Sequence, residues 1–176
     1  MKTVYTCFTT DVIHEGHLNI INKAKEYGDV IVGVLTDEAM VKFDRFPTIS
    51  FEERMKLVES IGGISKVIKQ DTVMYDVVVN ELHPDYVIHG NNWCEGPTKA
   101  IRDNVEKLLS TYGGQIIDVP YTYNENVKHI DDQIKERLSI SCQVRARRSV
   151  RRAMYMPNSC RICTMMIVSA THSQTI

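Results

Sequence analysis

The chain alternates between two kinds of segment, and this alternation constrains its fold more than any other feature. Residues 3–8, TVYTCF, are β-branched and aromatic, as a strand prefers. GHLNIINKAKEYG follows, with Leu18, Ile21 and Ala24 (or Lys25) at helical spacing and a stop at Gly28. DVIVGVLT, residues 29–36, is a near-continuous apolar run and reads as a strand covered on both faces. SFEERMKLVESIGG, residues 50–63, opens on the capping-box pair Ser50 and Glu53 and closes on two glycines. Short apolar runs recur at 66–69, 86–89 and 115–119, with helical stretches at about 74–82 and 98–112 between them. The predicted order is β-α-β-α-β-α-β-α-β. It gives an α/β fold, a Rossmann-like, doubly wound, parallel five-stranded sheet with helices on both faces.

Ligands of such sheets bind at the carboxyl ends of the strands, near the reversal in strand order. Three polar segments fall on that rim: TTDVIHEGH after the first strand, TDEAMVKF after the second and HGNNW after the fourth. Their convergence is the main reason to expect a site there.

Three readings compete for HEGH, residues 14–17. A zinc site needs a third ligand and a helical H-E-x-x-H frame, and this motif supplies neither. A plain turn with two exposed histidines needs no function at all. A phosphate clamp at a helix N-terminus accounts for both imidazoles, for the strand-to-helix position and for Gly16, which would let a phosphate approach the backbone.

Composition narrows the class. The chain has 176 residues, of which 43% are hydrophobic and 24% charged, as in an ordinary globular domain. No apolar run is long enough to span a membrane, and the start lacks the apolar core of a signal peptide. Five scattered cysteines point to free thiols in a reducing compartment, so a cytoplasmic location is expected.

Charge divides the chain. Residues 1–138 hold all 22 acidic residues and 15 of the 21 basic ones, whereas residues 139–176 hold six arginines and no Asp, Glu or Lys. No internal repeat or Gly/Ser linker interrupts residues 1–138, so these read as one domain. The arginine-, cysteine-, methionine- and serine-rich remainder reads as a segment outside it, of the kind a truncated or out-of-frame end would leave. Cys160 and Cys163 form a C-x-x-C with no second pair, which argues against zinc. The arginines could hold RNA or an acidic surface, but only Tyr155 lies among them to stack, so no nucleic-acid partner is expected.

The segment from Thr9 to Glu38 resembles the start of a cytidylyltransferase-type nucleotidyltransferase, a family marked by H-x-G-H after the first strand. Asp11 stands three residues before the first histidine, as in that family. SFEERMKLVESI and YVIHGNNW are similar to two further family segments, the second with Asn91 and Asn92 where aspartates are common. The likeness covers about residues 3–120 in register. VYTCFTTDVIHEGHLNI, RFPTISFEER and HPDYVIHGNNW resemble most the cytidylyltransferase-like domain that precedes phosphoenolpyruvate phosphomutase in phosphonate pathways. Glycerol-3-phosphate cytidylyltransferases are also similar.

The resemblance implies transfer of CMP from CTP to a small phosphonate or phosphate-bearing alcohol, with release of pyrophosphate and Mg2+ carried by the CTP. It implies catalytic roles for His14, His17 and Lys42, the histidines donating to phosphate oxygens and the lysine neutralising the other side. It implies nucleotide binding by Thr9, Thr10, Asp11, Gly16, Arg54, His89, Gly90, Asn92 and Trp93. Simpler roles stay open: Lys42 and Arg54 as surface charges, Asp11 as a turn residue, Trp93 as core. Relatives of this kind are commonly dimers, so a homodimer is expected.

The sequence departs from the family after its last strand. A segment near R-T-x-G-I-S-T-T usually binds the triphosphate there, and here the stretch is YTYNENVKHIDDQI, residues 121–134. Asn126, Lys128 and His129 are polar enough to substitute. Each missing donor at a charged transition state costs about 3 kcal/mol. Two alternatives therefore stand beside the transferase: a catalytically weak nucleotide-binding remnant of a fused phosphonate enzyme, and an adenylyltransferase using ATP.

Overall fold

The computed structural model describes residues 1–9, 12–43 and 45–122, together with residues 125, 129, 133, 136 and 137. Thr10 and Asp11 lie outside the described residues, as do Asn126, Lys128, the expected boundary at 138 and the segment after it. The chain divides into two units, Met1–Asn124 and Glu125–Ile176. In the second, His129 and Gln133 face each other one helical turn apart, with 3.1 Å between their side-chain nitrogens.

The first unit is built on strands β1 (Thr3–Phe8), β2 (Asp29–Leu35), β3 (Lys66–Gln70), β4 (Tyr86–Gly90) and β5 (Gln115–Val119). All pairings are parallel and the order is β3-β2-β1-β4-β5. The helices between them are α1 (Glu15–Lys25), α2 (Asp37–Lys42), α3 (Phe51–Glu59), α4 (Asp76–Leu82) and α5 (Lys99–Ser110). The α/β fold and its five parallel strands are those expected from the segment order. The short helix α2, capped by Thr36 Oγ1 accepting from Ala39 N–H at 3.3 Å, is an addition to that order.

Strand alternation distributes the core to both faces. Val4, Phe8, Val30, Val32, Val34 and Ile88 pack with Ile21 and Ala24 of α1 and Val58 of α3. Tyr5 and Val87 pack on the opposite face with Val78 and Val79 of α4 and Val105 and Leu109 of α5. Helix α3 opens as its sequence implies: Glu53 N–H donates to Ser50 Oγ at 3.3 Å, and Ser50 N–H donates to Glu53 Oε2 at 3.0 Å.

Helix α1 corrects one expectation. Ile21 and Ala24 are buried, but Leu18 is 41% exposed. The inward stripe runs through His17 instead, whose ring meets Phe8 edge-on at 4.8 Å between centroids. Positions 17, 21 and 24 share one face at helical spacing, and that register turns residue 18 toward water.

From β1 the chain steps out to β2 and β3, then returns to place β4 on the other side of β1. The order therefore reverses between β1 and β4, and a crevice opens beyond their carboxyl ends.

Candidate active site

His14 is the N-cap of α1, with extended backbone. Its Nδ1 accepts from Gly16 N–H at 3.1 Å, and His17 Nδ1 accepts from His14 N–H at 3.4 Å. The two histidines thus form a capping box in which imidazole nitrogens replace the usual oxygens. An Nδ1 that accepts carries no proton, so each neutral ring holds its hydrogen on Nε2. The centroids stand 4.1 Å apart. Burial lowers the pKa of His14. Burial, reinforced by His14, pushes that of His17 down to about 3. Both rings are therefore neutral donors at ordinary pH, with Nε2–H directed away from the backbone they cap.

Gly16 has a specific reason to be glycine. A Cβ there would stand 2.8 Å from His14 Cε1 and 3.0 Å from His14 Nδ1, so the imidazole occupies the space a side chain would need.

Arg54 corrects the alternative of a surface charge. Its side chain is fully buried, and Nη1 donates to the carbonyls of Thr9 at 2.9 Å and Leu35 at 2.6 Å. Nη2 pairs with the Asp37 carboxylate. A guanidinium fork can span three acceptors at fixed angles, and here it ties the ends of β1 and β2 to the start of α2. Thr9 contributes its carbonyl to this tie and is only partly exposed. Lys42 ends α2 and is exposed.

At the end of β4, His89 Nδ1 lies 2.8 Å from the Gly90 carbonyl, which can only accept, so this ring carries its proton on Nδ1. Burial lowers its pKa, against the opposing pull of the Gly90 carbonyl and Asp118. The ring stacks on Trp93 at 4.1 Å and 18°. Trp93 is 2% exposed, in keeping with the core role its sequence left open. It packs with Tyr75 in the core, and its Nε1–H donates to Asp118 Oδ1 at 2.6 Å. Arg102 Nη2 donates to Asp118 Oδ2 at 2.8 Å. Burial alone would raise the Asp118 pKa, but the bonds from Arg102 and Trp93 outweigh it and hold the carboxyl below its usual range.

Asn92 is exposed beside Gly90, with Oδ1 2.9 Å from where a Gly90 Cβ would stand. Two pairs of rim residues escape a sequence reading. Asn91 Oδ1 accepts from Tyr121 N–H at 2.9 Å, and Asn19 Nδ2 donates to Thr122 Oγ1 at 3.1 Å. Among the described residues no three His, Cys, Asp or Glu side chains converge to cage a metal. None of the described helices is long and apolar enough to cross a membrane.

An open parallel sheet with two imidazole donors on the helix turn at its reversal point defines a class: a Rossmann-like α/β protein. Residues 5–162 match the cytidylyltransferase-like family, and the chain belongs to it. The bifunctional protein HldE of Desulfatibacillum aliphaticivorans is 30% identical over 122 residues, which are 68% of this chain and 24% of that one. The chain thus spans about a quarter of that relative's length. The FAD synthase of Archaeoglobus fulgidus is 31% identical over 133 residues, covering 61% of this chain and 97% of the synthase. The glycerol-3-phosphate cytidylyltransferase of Bacillus subtilis is 30% identical over 110 residues, covering 60% of this chain and 83% of the enzyme. The fold resembles a lipopolysaccharide core biosynthesis protein from Thermoplasma volcanium, with a TM-score of 0.58 at 17% identity over 71% of this chain and 99% of that one.

Proposed function

We propose that the chain is a cytidylyltransferase that moves CMP from CTP to a small phosphate- or phosphonate-bearing acceptor. An acceptor oxygen attacks the α-phosphorus, the bond from that phosphorus to the bridging oxygen breaks, and pyrophosphate leaves with the electron pair. No protein nucleophile is needed, so catalysis consists of positioning and charge stabilisation. The observation that carries this reading is the histidine capping box: two neutral rings whose Nδ1 atoms are engaged by backbone and whose Nε2–H groups remain to donate to phosphate oxygens. Charge grows on those oxygens as pyrophosphate departs, so the donors strengthen at the transition state.

Lys42 lies on the second rim segment and would neutralise the triphosphate from that side. Thr9, Gly16, His89, Gly90 and Asn92 complete the surroundings of the nucleotide. Mg2+ would travel with the CTP, held by phosphates and water, with Asp11 the sequence candidate to assist. Family membership and the likeness to glycerol-3-phosphate cytidylyltransferase support CTP as donor. The phosphonate acceptor, a homodimer and a cytoplasmic setting complete the proposal on the strength of the sequence resemblance.

Pyrophosphate release with CTP, assayed against 2-aminoethylphosphonate, 2-hydroxyethylphosphonate, glycerol 3-phosphate and phosphocholine, tests it. Turnover with CTP and not ATP supports the proposal; binding of CTP with no turnover on any acceptor contradicts catalysis. The FAD synthase likeness favours a second reading. Its named product carries adenine, and release with ATP alone would select that reading.

A further inference from the structure

We propose that Tyr121 is the stacking plate for the donor's base and so a further nucleotide-binding residue. This rests on the nucleotide-binding part of the function proposed above. After β5 the chain crosses the reversal point, and two side chains from opposite sides fix it there. Asn91, just past β4, accepts from Tyr121 N–H at 2.9 Å, and Asn19, on α1 after β1, donates to Thr122 Oγ1 at 3.1 Å. Residues 121 and 122 therefore bridge the crevice.

The packing at the two ends of the bridge agrees. Tyr121 Cδ2 lies 3.4 Å from where a Gly90 Cβ would stand, and Thr122 Cβ lies 3.5 Å from where a Gly16 Cβ would stand. One end thus rests on the last residue of β4, and the other stands beside the His14 cap. Tyr121 has a tethered backbone and yet is 53% exposed. Because residue 90 is glycine, the Tyr121 ring edge and the Asn92 carboxamide both close in over it, the carboxamide oxygen 2.9 Å from the same absent Cβ. The exposed Tyr121 ring offers a face for a flat heterocycle to stack on, and the exposed Asn92 carboxamide beside it can both donate and accept along the heterocycle's edge. With phosphates at the His14 and His17 rings, the two-residue bridge spans the distance from base to polyphosphate in one bound nucleotide.

Equilibrium titration of the full chain with CTP and with inorganic tripolyphosphate, which has no base, separates the two ends. Wild type binds CTP more tightly than tripolyphosphate. Tyr121→Ala weakens CTP about tenfold and leaves tripolyphosphate unchanged, and Tyr121→Phe keeps wild-type affinity for both. Thermal unfolding of each variant checks that it is folded. A Tyr121→Ala protein that keeps the preference for CTP, or that loses both ligands equally, overturns the proposal. A wild type that binds neither ligand overturns the proposed function and this inference with it. Where wild type binds both ligands, failure of the Tyr121→Ala variant to discriminate overturns the stacking role alone.

Discussion

His14 and His17 cap one another's helix turn. His14 Nδ1 accepts from Gly16 N–H at 3.1 Å, His17 Nδ1 accepts from His14 N–H at 3.4 Å, and the ring centroids stand 4.1 Å apart. The rings that begin the helix are also the ones proposed to meet an anion. Capping uses their Nδ1 atoms and the proposed anion binding their Nε2–H groups, so substitutions can pull the two roles apart.

His14→Ala removes both roles. It lowers stability by about 1 kcal/mol, as loss of a cap does, and lowers transfer roughly a hundredfold or more, as loss of a transition-state donor does. His14→Asn restores a capping oxygen and no Nε2–H in the same place. Urea unfolding of the Asn variant should return to within a few tenths of a kcal/mol of wild type. Its pyrophosphate release should stay as low as that of the Ala variant.

Gly16→Ala tests the space above the turn. The new Cβ would stand 2.8 Å from His14 Cε1, so the imidazole must leave its cap. Alanine gains about 1 kcal/mol of helix propensity over glycine, which offsets a lost cap of about the same size. Unfolding midpoints should move little, whereas kcat/KM should drop at least tenfold.

The lowered histidine pKa values fix a sign for pH dependence. In the unfolded chain both rings titrate near about 6.5. In the folded chain His14 lies lower, and His17 is pushed down to about 3. Below about 6.5 the unfolded state binds protons that the folded state does not, so this contribution is complete above that pH and is lost as pH falls toward about 3. Urea midpoints measured from about pH 7.5 down to about pH 5 should decline for wild type and less steeply for His17→Asn. The His17 ring stays neutral across that window in free protein, so kcat/KM should show no His17 inflection near about 6.5.

Arg54 acts in the interior. Arg54→Lys cannot serve Thr9, Leu35 and Asp37 at once, because one ammonium lacks the planar fork. Two strand-end carbonyls lose full hydrogen bonding, and stability should fall by about 3 kcal/mol in urea titrations. A variant that is as stable as wild type and only weaker for CTP would return Arg54 to the nucleotide.

What the sequence made legible was local. The strands are set by runs of β-branched residues, and the start of α3 by Ser50 and Glu53 three positions apart. The HEGH turn is set by residues that touch their own neighbours. What stayed hidden was held at long range. Arg54 reads as a triphosphate contact or a surface charge within SFEERM, and only a fold that brings Thr9 from 45 residues away and Leu35 from 19 makes it interior. Trp93 is drawn inward by packing and by Asp118, 25 residues further on. Asn19 meets Thr122 across 103 residues, and no periodicity signals such a bond. Leu18 differs for another reason: its spacing to Ile21 suits a helix face, but the neighbouring register takes His17 inward against Phe8.

The most direct test of the central claim is a crystal structure of the chain with CTP bound. The histidine clamp predicts Nε2 of both His14 and His17 within about 3 Å of phosphate oxygens, with both Nδ1 atoms still engaged by the backbone. A triphosphate seated away from both rings would contradict it.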